Sequence, residues 1–300
     1  MLKNKIELKN SYVLVIGGAG FIGSNLIDSL LDMGAKVHSL DNYFTGSENK
    51  HSADCEIYKA DSNEIDNIDF GCTFDFVFHL GEYSRVEESY KDIDLVFEYN
   101  NKPIYKVLKF VKKHEAKFIY SGSSTQFGEY LENDCLSPYA WTKSKNVDLV
   151  NHYAEWVGIN YAITYFYNVY GPREISQGPY ATLIAKFLYL INSGIKELPV
   201  VSPGTQVRNF TDVRDIVSGL ILVALKGEGD GFGIGAEEEY SVLDIVDILN
   251  AIPQFLEPRR GNRLSAKAMT DKVKLLGWKQ EHYLKDFLYK NANNLLDKPF

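Results

Sequence analysis

Tyr139 and Lys143 stand four residues apart, in a stretch that the sequence predicts to be helical from just after Ser137-Pro138. That spacing places both side chains on one helical face. A phenol with a reference pKa near ~10 is a poor base at neutral pH, but a lysine cation beside it stabilises the phenolate. A serine hydroxyl can hold a substrate oxygen while the tyrosine takes its proton. Ser123, in the run Gly122-Ser123-Ser124-Thr125, is the best candidate for that hydroxyl. Proton removal from an alcohol is half of an oxidation, and the other half needs a hydride acceptor.

A binding stretch for such an acceptor lies at residues 12–23, YVLVIGGAGFIG. Residues 12–16 are apolar and rich in β-branched side chains, as suits a strand buried on both faces of a parallel sheet. Gly17, Gly20 and Gly23 then follow at the spacing of a dinucleotide fingerprint. Glycines there permit a tight turn, bring backbone N–H groups to a pyrophosphate, and let the next helix pack close. Phe21 and Ile22 lead into a predicted helix, residues 22–33, whose positive N-terminus faces the phosphates.

A second strand, residues 37–40, ends at Asp41-Asn42, about 20 residues beyond the glycines, where a carboxylate binds a ribose 2′-OH. The same carboxylate repels the 2′-phosphate of NADP. Residues 42–45 hold no arginine or lysine, and Lys36 is at the far end of the strand, so NAD is the expected cofactor. Asp61 follows a third strand, residues 55–59, and suits either an adenine amine or a helix cap. A fourth strand, residues 74–80, ends at Leu80, and a fifth spans residues 117–121. Ligands of open α/β sheets bind at the carboxyl ends of strands, so the loops after Ile16, Leu80 and Tyr120 share one edge.

The elements that position these groups belong to an α/β chain. Its expected form is a Rossmann-like, doubly wound parallel sheet with a smaller C-terminal substrate-binding lobe. Three hundred residues suit one large domain or two closely joined ones. A net charge of −8 argues against a broad nucleic-acid footprint, so an anionic ligand needs a local cluster of donors. Cys55, Cys72 and Cys135 lack metal-ligand spacing, so no metal site is expected and reduced thiols suit a cytoplasmic protein. No signal core opens the chain and no apolar run reaches membrane-spanning length, so no membrane association is expected.

In these motifs the chain resembles the extended short-chain dehydrogenase/reductases of the nucleotide-sugar epimerase/dehydratase group. The likeness runs through Gly17-Gly18-Ala19-Gly20-Phe21-Ile22-Gly23, Asp41-Asn42, His79-Leu80, Ser123 and Tyr139-x-x-x-Lys143. It continues through Asn168-Val169-Tyr170-Gly171-Pro172-Arg173, Arg208-Asn209-Phe210 and Leu275-Leu276-Gly277-Trp278. The resemblance implies NAD as cofactor and a nucleotide-diphosphate sugar as substrate. It implies Tyr139 as acid/base, Lys143 on the nicotinamide ribose and Ser123 on the sugar. Asn168, Arg208, and Arg259 or Arg260 would bind the diphosphate, and Ser84 lies in the loop that touches nicotinamide and sugar. Arg173, after a Gly-Pro turn, reads as a solvated charge. The group's dimers pair two long helices, for which residues 103–114 and 139–157 are the candidates in a homodimer.

Several positions depart from the group's pattern: Glu82 replaces a small residue, Gly122 a serine, Phe127 a tyrosine and Tyr165 an arginine. Oxidation at the sugar C4 is the expected step, with epimerisation or release of the keto sugar after it. A 4,6-dehydratase is the alternative enzyme. It needs an extra acid and base where this chain has Ser124 and Thr125, and nothing in the sequence gives the direction of Glu82. A non-catalytic NAD-binding regulatory protein is the alternative of another class. The expected plan assigns residues 1–170, plus about 208–236, to the NAD-binding domain. Residues 171–207 and 237–300 then form the substrate lobe, with helices at 180–191 and from Ser241.

Overall fold

The computed structural model describes residues 8–126, 137–258 and 268–292. Phe127, Cys135, Arg259 and Arg260 lie outside the described residues. The chain opens with β1 (Tyr12–Ile16), α1 (Phe21–Asp32), β2 (Lys36–Asp41), β3 (Glu56–Lys59) and β4 (Phe76–His79). A short α2 (Ile93–Val96) and a π turn at Phe97–Asn101 lead into α3 (Lys102–His114), β5 (Lys117–Ser123), α4 (Pro138–Val157) and β6 (Tyr161–Phe166). Next come β7 (Val169–Tyr170), α5 (Leu183–Asn192), β8 (Glu197–Val201), β9 (Val207–Asn209), β10 (Thr211–Asp212), α6 (Val213–Lys226) and β11 (Gly229–Ile234). The last elements are β12 (Glu239–Ser241), α7 (Val242–Ile248), β13 (Ile252–Leu256), α8 (Asp271–Leu275) and α9 (Leu284–Ala292).

Seven strands pair in the order β11-β6-β5-β4-β1-β2-β3, all parallel. Side chains alternate across a strand, so β1 feeds two cores. Val13 and Val15 pack with Leu26 and Leu30 of α1 and Leu220 of α6 on one face. Leu14 and Ile16 pack with Val107 of α3 and Val150 of α4 on the other. This two-sided burial is why β1 is apolar throughout. Strand order reverses between β1 and β4, and a crevice opens at such a switch point. The register aligns Ile16 with Leu40 and His79, and His79 with Tyr120, so the predicted loops do share one edge.

A third core gathers Phe187 of α5, Leu198 of β8, Ile245 of α7 and Leu288 of α9. Three small sheets flank it: β8 with β13, β9 with β12, and β7 with β10. The helix expected from Ser241 is α7, which Ser241 caps by accepting the Asp244 N–H in a capping box.

Two boundaries differ from the sequence reading in ways that bear on the site. The expected fifth strand runs two residues further, because Gly122 and Ser123 pair with Tyr165 and Phe166 of β6. Ser123 is therefore held by the sheet, where its Gly-Ser-Ser composition suggested a loop. The helix expected at 180–191 begins instead at Leu183, after an extended Thr182 whose N–H donates to the Ile175 carbonyl.

Candidate active site

Gly17 has a φ of +85°, and a Cβ there would lie 2.6 Å from the Gly81 nitrogen. The loops after β1 and β4 therefore touch at the switch point, which only glycine allows. Gly23 faces the same loop, since a Cβ would lie 2.1 Å from the Gly17 carbonyl. Ile16, Gly17, Gly20, Asp41, Asn42, Asp61 and Leu80 line one groove. Phe21, Ile22 and Gly23 form the first turn of α1 beside it.

Asp41 Oδ2 accepts the Ala19 N–H at 2.9 Å and Oδ1 the Tyr43 N–H at 2.7 Å, which ties the end of β2 to the glycine loop. Burial pushes its carboxyl up, against those two N–H donors and the charges of His51 and Lys50. Lys36, by contrast, reaches the Tyr12 hydroxyl, away from Asp41. Lys50 and His51, in the turn after residue 45, are basic side chains near Asp41 that the sequence reading missed. Asp61 caps the turn that follows it, accepting from Asn63, and also accepts from Asn42 Nδ2 at 2.9 Å. The cap and the groove position therefore coexist in one side chain.

Over this groove, the Phe44 ring lies 4.8 Å from Tyr99 and 5.4 Å from Tyr180. Tyr83 and Tyr180 both donate to Asp92 Oδ2, at 2.9 and 3.1 Å. Tyr139 packs into the same aromatic cluster.

At the other end of the groove, α4 brings Tyr139 and Lys143 over the end of β5, as their spacing requires. Both are buried, and Lys143 Nζ donates to the Ser121 carbonyl at 2.7 Å. Ser123 Oγ is 2.8 Å from Thr125 Oγ1 and also accepts the Thr125 N–H. Ser121 Oγ donates to the His79 carbonyl, which joins β5 to β4 beneath the site.

Glu82 turns into this cluster. Its side chain is 1% exposed, with Oε2 2.5 Å from Lys143 Nζ and Oε1 3.4 Å from His79 Nε2. The Tyr120 hydroxyl donates to it at 2.9 Å and Asn146 Nδ2 at 3.0 Å. Burial alone would push this carboxyl up; the Lys143 and His79 contacts reverse that and hold it at about 2. Asn100, fully buried in the π turn, accepts the Tyr83 N–H at 2.7 Å and donates to Thr142, which sets the path of the loop.

In the loop after β4, Ser84 is exposed and its Oγ accepts from Arg85 at 3.1 Å. Arg85 also donates twice to the Tyr180 carbonyl. Asn168 Nδ2 donates to the Asn209 carbonyl, which brings it beside the strand that carries Arg208. Arg173 is exposed, and it also has protein partners: Nη1 donates to the Ser24 carbonyl and Nη2 pairs with Asp28 at 2.6 Å. A Gly-Pro turn says nothing of the helix packed against it, and here that helix is α1. Glu174 is half-buried, accepting the Gly171 N–H and the Thr182 hydroxyl, and desolvation pushes its carboxyl up to about 7.

The groove fits NAD. Its carboxylate at the end of β2 keeps lone pairs for ribose hydroxyls, and the first N–H groups of α1 have no partner inside their helix. Residues 13–235 match the NAD dependent epimerase/dehydratase family. A protein of Methanocaldococcus jannaschii provisionally named UDP-glucose 4-epimerase is 30% identical over 302 residues, covering 94% of this chain and 97% of its own. Among solved structures, the Thermotoga maritima UDP-glucose 4-epimerase with UDP-glucose superimposes with a TM-score of 0.88 at 26% identity, covering 94% of this chain and 97% of that one. The Bacillus cereus UDP-glucuronic acid 4-epimerase, with NAD and a fluorinated substrate analogue, gives 0.84 at 25% identity, covering 95% and 99%. The fold, the groove and these matches agree: the chain belongs to the NAD dependent epimerase/dehydratase family, and is an NAD-dependent enzyme of the extended short-chain dehydrogenase/reductase, nucleotide-sugar type.

Proposed function

We propose that this enzyme is a nucleotide-sugar 4-epimerase, which oxidises the sugar C4 hydroxyl and reduces the resulting ketone from its other face. The observation that carries this reading is the placement of Ser123, Tyr139 and Lys143 at the end of β5, beside the groove that holds Asp41. NAD, when bound, accepts and returns the hydride. Tyr139 takes the hydroxyl proton and gives it back, Ser123 holds the substrate oxygen, and Lys143 presents its ammonium to the couple. Asn168 and Arg208, with Arg259 or Arg260, are the proposed diphosphate donors, and Ser84 contacts the sugar.

Dehydration is not supported. Elimination needs a further acid and base, and Thr125 is a hydroxyl bonded to Ser123. Glu82, the one other carboxyl weighed for that role, has its oxygens on protein donors. The presence of the whole Ser-Tyr-Lys set likewise argues against a purely regulatory role.

Residues 1–170 and about 208–236 serve as the NAD-binding part in this reading, with 171–207 and 237–300 as the substrate lobe. The third core, built on α5, α7 and α9, supports that division. Exposed Tyr105 on α3 and Trp141 and Trp156 on α4 support the homodimer face, and sedimentation velocity tests it. Among the described residues no helix is long and apolar enough to cross a membrane, and a cytoplasmic location is proposed.

The purified enzyme, incubated with UDP-, dTDP-, GDP- and CDP-sugars, should interconvert C4 epimers of one of them without net NADH. Tyr139→Phe should lower turnover by about 10²–10⁴-fold. A product lighter by one water, or full activity of the Tyr139→Phe enzyme, overturns the reading.

A further inference from the structure

Lys143 has a charge that the proposed chemistry uses, and the fold has given it a counter-charge. Its ammonium and the Glu82 carboxylate are both buried and touch at 2.5 Å. An isolated ammonium one helical turn from Tyr139 would strongly favour a phenolate. An ammonium fused to a carboxylate is nearly neutral at that distance, because the two opposite charges act from almost the same point.

We propose that Glu82 is a positioning residue for the Tyr139–Lys143 couple: it fixes the ammonium and cancels most of its charge at Tyr139, which moves proton removal toward higher pH. The proposal rests on the reading of Tyr139 as the acid/base. Glu82 does not itself act on substrate. Its oxygens face Lys143, Asn146, Tyr120 and His79, all from inside the protein. Asn146 lies one turn beyond Lys143 on α4 and also donates to the Asn100 carbonyl at 2.8 Å, so the carboxylate is braced from two elements. The Tyr120 ring lies 5.1 Å from Lys143 Nζ and closes the remaining side.

Other groups also face the couple. His79 comes from the end of β4, and Tyr120 from β5. Tyr83 and Arg85 come from the loop after β4, Tyr83 packed with Tyr139 and Arg85 within electrostatic reach of it. Glu174 in turn acts on Arg85. All of these residues are shared by the two proteins when residue 82 alone is changed, so the difference between variants reports the Glu82 charge.

The test is the pH at which Tyr139 ionises in the NAD-loaded enzyme. It is read as the tyrosinate absorbance of each protein minus that of the same protein carrying Tyr139→Phe, and no sugar substrate is required. Glu82→Gln keeps the shape, removes the charge, and should lower the half-titration pH by about one unit. Glu82→Gln combined with Lys143→Met removes both charges and leaves no lone buried ion. Its half-titration pH should match the unmutated enzyme within about half a unit, because zero replaces a sum near zero. An unmoved value in Glu82→Gln, or a rise of about one unit or more in the double variant, overturns the proposal. If the single variant does not fold, the double variant decides alone. Failure of the acid/base reading has a separate signature, undiminished turnover in Tyr139→Phe.

Discussion

Asp41 and Glu82 are carboxyls at the two ends of one groove, and their neighbours put them in opposite electrostatic positions. Burial pushes Asp41 up, and the neutral N–H groups of Tyr43 and Ala19 only partly offset it. Glu82 is the more enclosed, yet the Lys143 ammonium holds it at about 2. Backbone amides leave a carboxylate with unspent capacity for a ligand's hydroxyls. An ammonium in contact uses that capacity up. The first arrangement suits binding; the second suits holding a neighbour in place.

The largest expected effect comes from breaking the second arrangement. Glu82→Leu leaves the Lys143 ammonium buried without its counter-charge and should lower stability by about 3–5 kcal/mol, read from urea unfolding. A loss below about 1 kcal/mol would mean that Glu82 is no more committed than Asp41. Asp41→Ala should leave the fold intact and weaken NAD binding about 10–100-fold, while narrowing the gap to NADP. Calorimetry on cofactor-free protein measures both. Equal affinity of the unmutated enzyme for NAD and NADP would remove Asp41 from the ribose site, and Lys50, whose charge reaches it, would become the residue to examine.

A third carboxyl sharpens the comparison through pH. Glu82, lowered from 4.5 to about 2, contributes stability above its ordinary value that is lost as pH falls toward 2. Glu174, raised from 4.5 to about 7, has the opposite sign: the folded state holds the proton more tightly, so stability falls as pH rises from 4.5 through about 7. Glu174→Gln should therefore gain on the unmutated enzyme between pH 5 and 8, by about 1–3 kcal/mol in denaturant midpoints at the two pH values. A gain that shrinks over that range contradicts the assignment. The smallest effect belongs to Arg173→Ala. Its partly exposed pair with Asp28 should be worth less than about 1 kcal/mol in thermal melts, although it ties the segment after β7 to α1.

Much of this molecule was legible in local sequence pattern. The apolar run 12–16, the glycines after it and the Asp41 that ends the next strand are all features of neighbouring residues, and each leaves a mark on composition. The pairing of Tyr139 with Lys143 follows from helical spacing alone. Where the reading fell short, the deciding partner was distant. Arg173 is exposed as its Gly-Pro turn suggests, but its partners Ser24 and Asp28 lie about 150 positions earlier, where no local pattern names them. Ser123 was read as a loop residue because glycine and serine suggest one, while the pairing of β5 with β6 decides otherwise.

By itself the sequence determined the first five strands, the nucleotide-binding loop and the pairing of Tyr139 with Lys143 on one helical face. Those depend on periodicity, turn chemistry and side-chain type, which act over a few residues. Only the tertiary structure decided what Glu82 does. A carboxylate in a loop is equally compatible with a surface charge, an acid catalyst or a buried counter-ion. Its state is set by Lys143 and Asn146, more than 60 positions away in the chain, and by the exclusion of water once α4 packs on the end of β5. The energies of burial and of charge contact are large there and nearly opposed, so distance and direction in three dimensions choose between them.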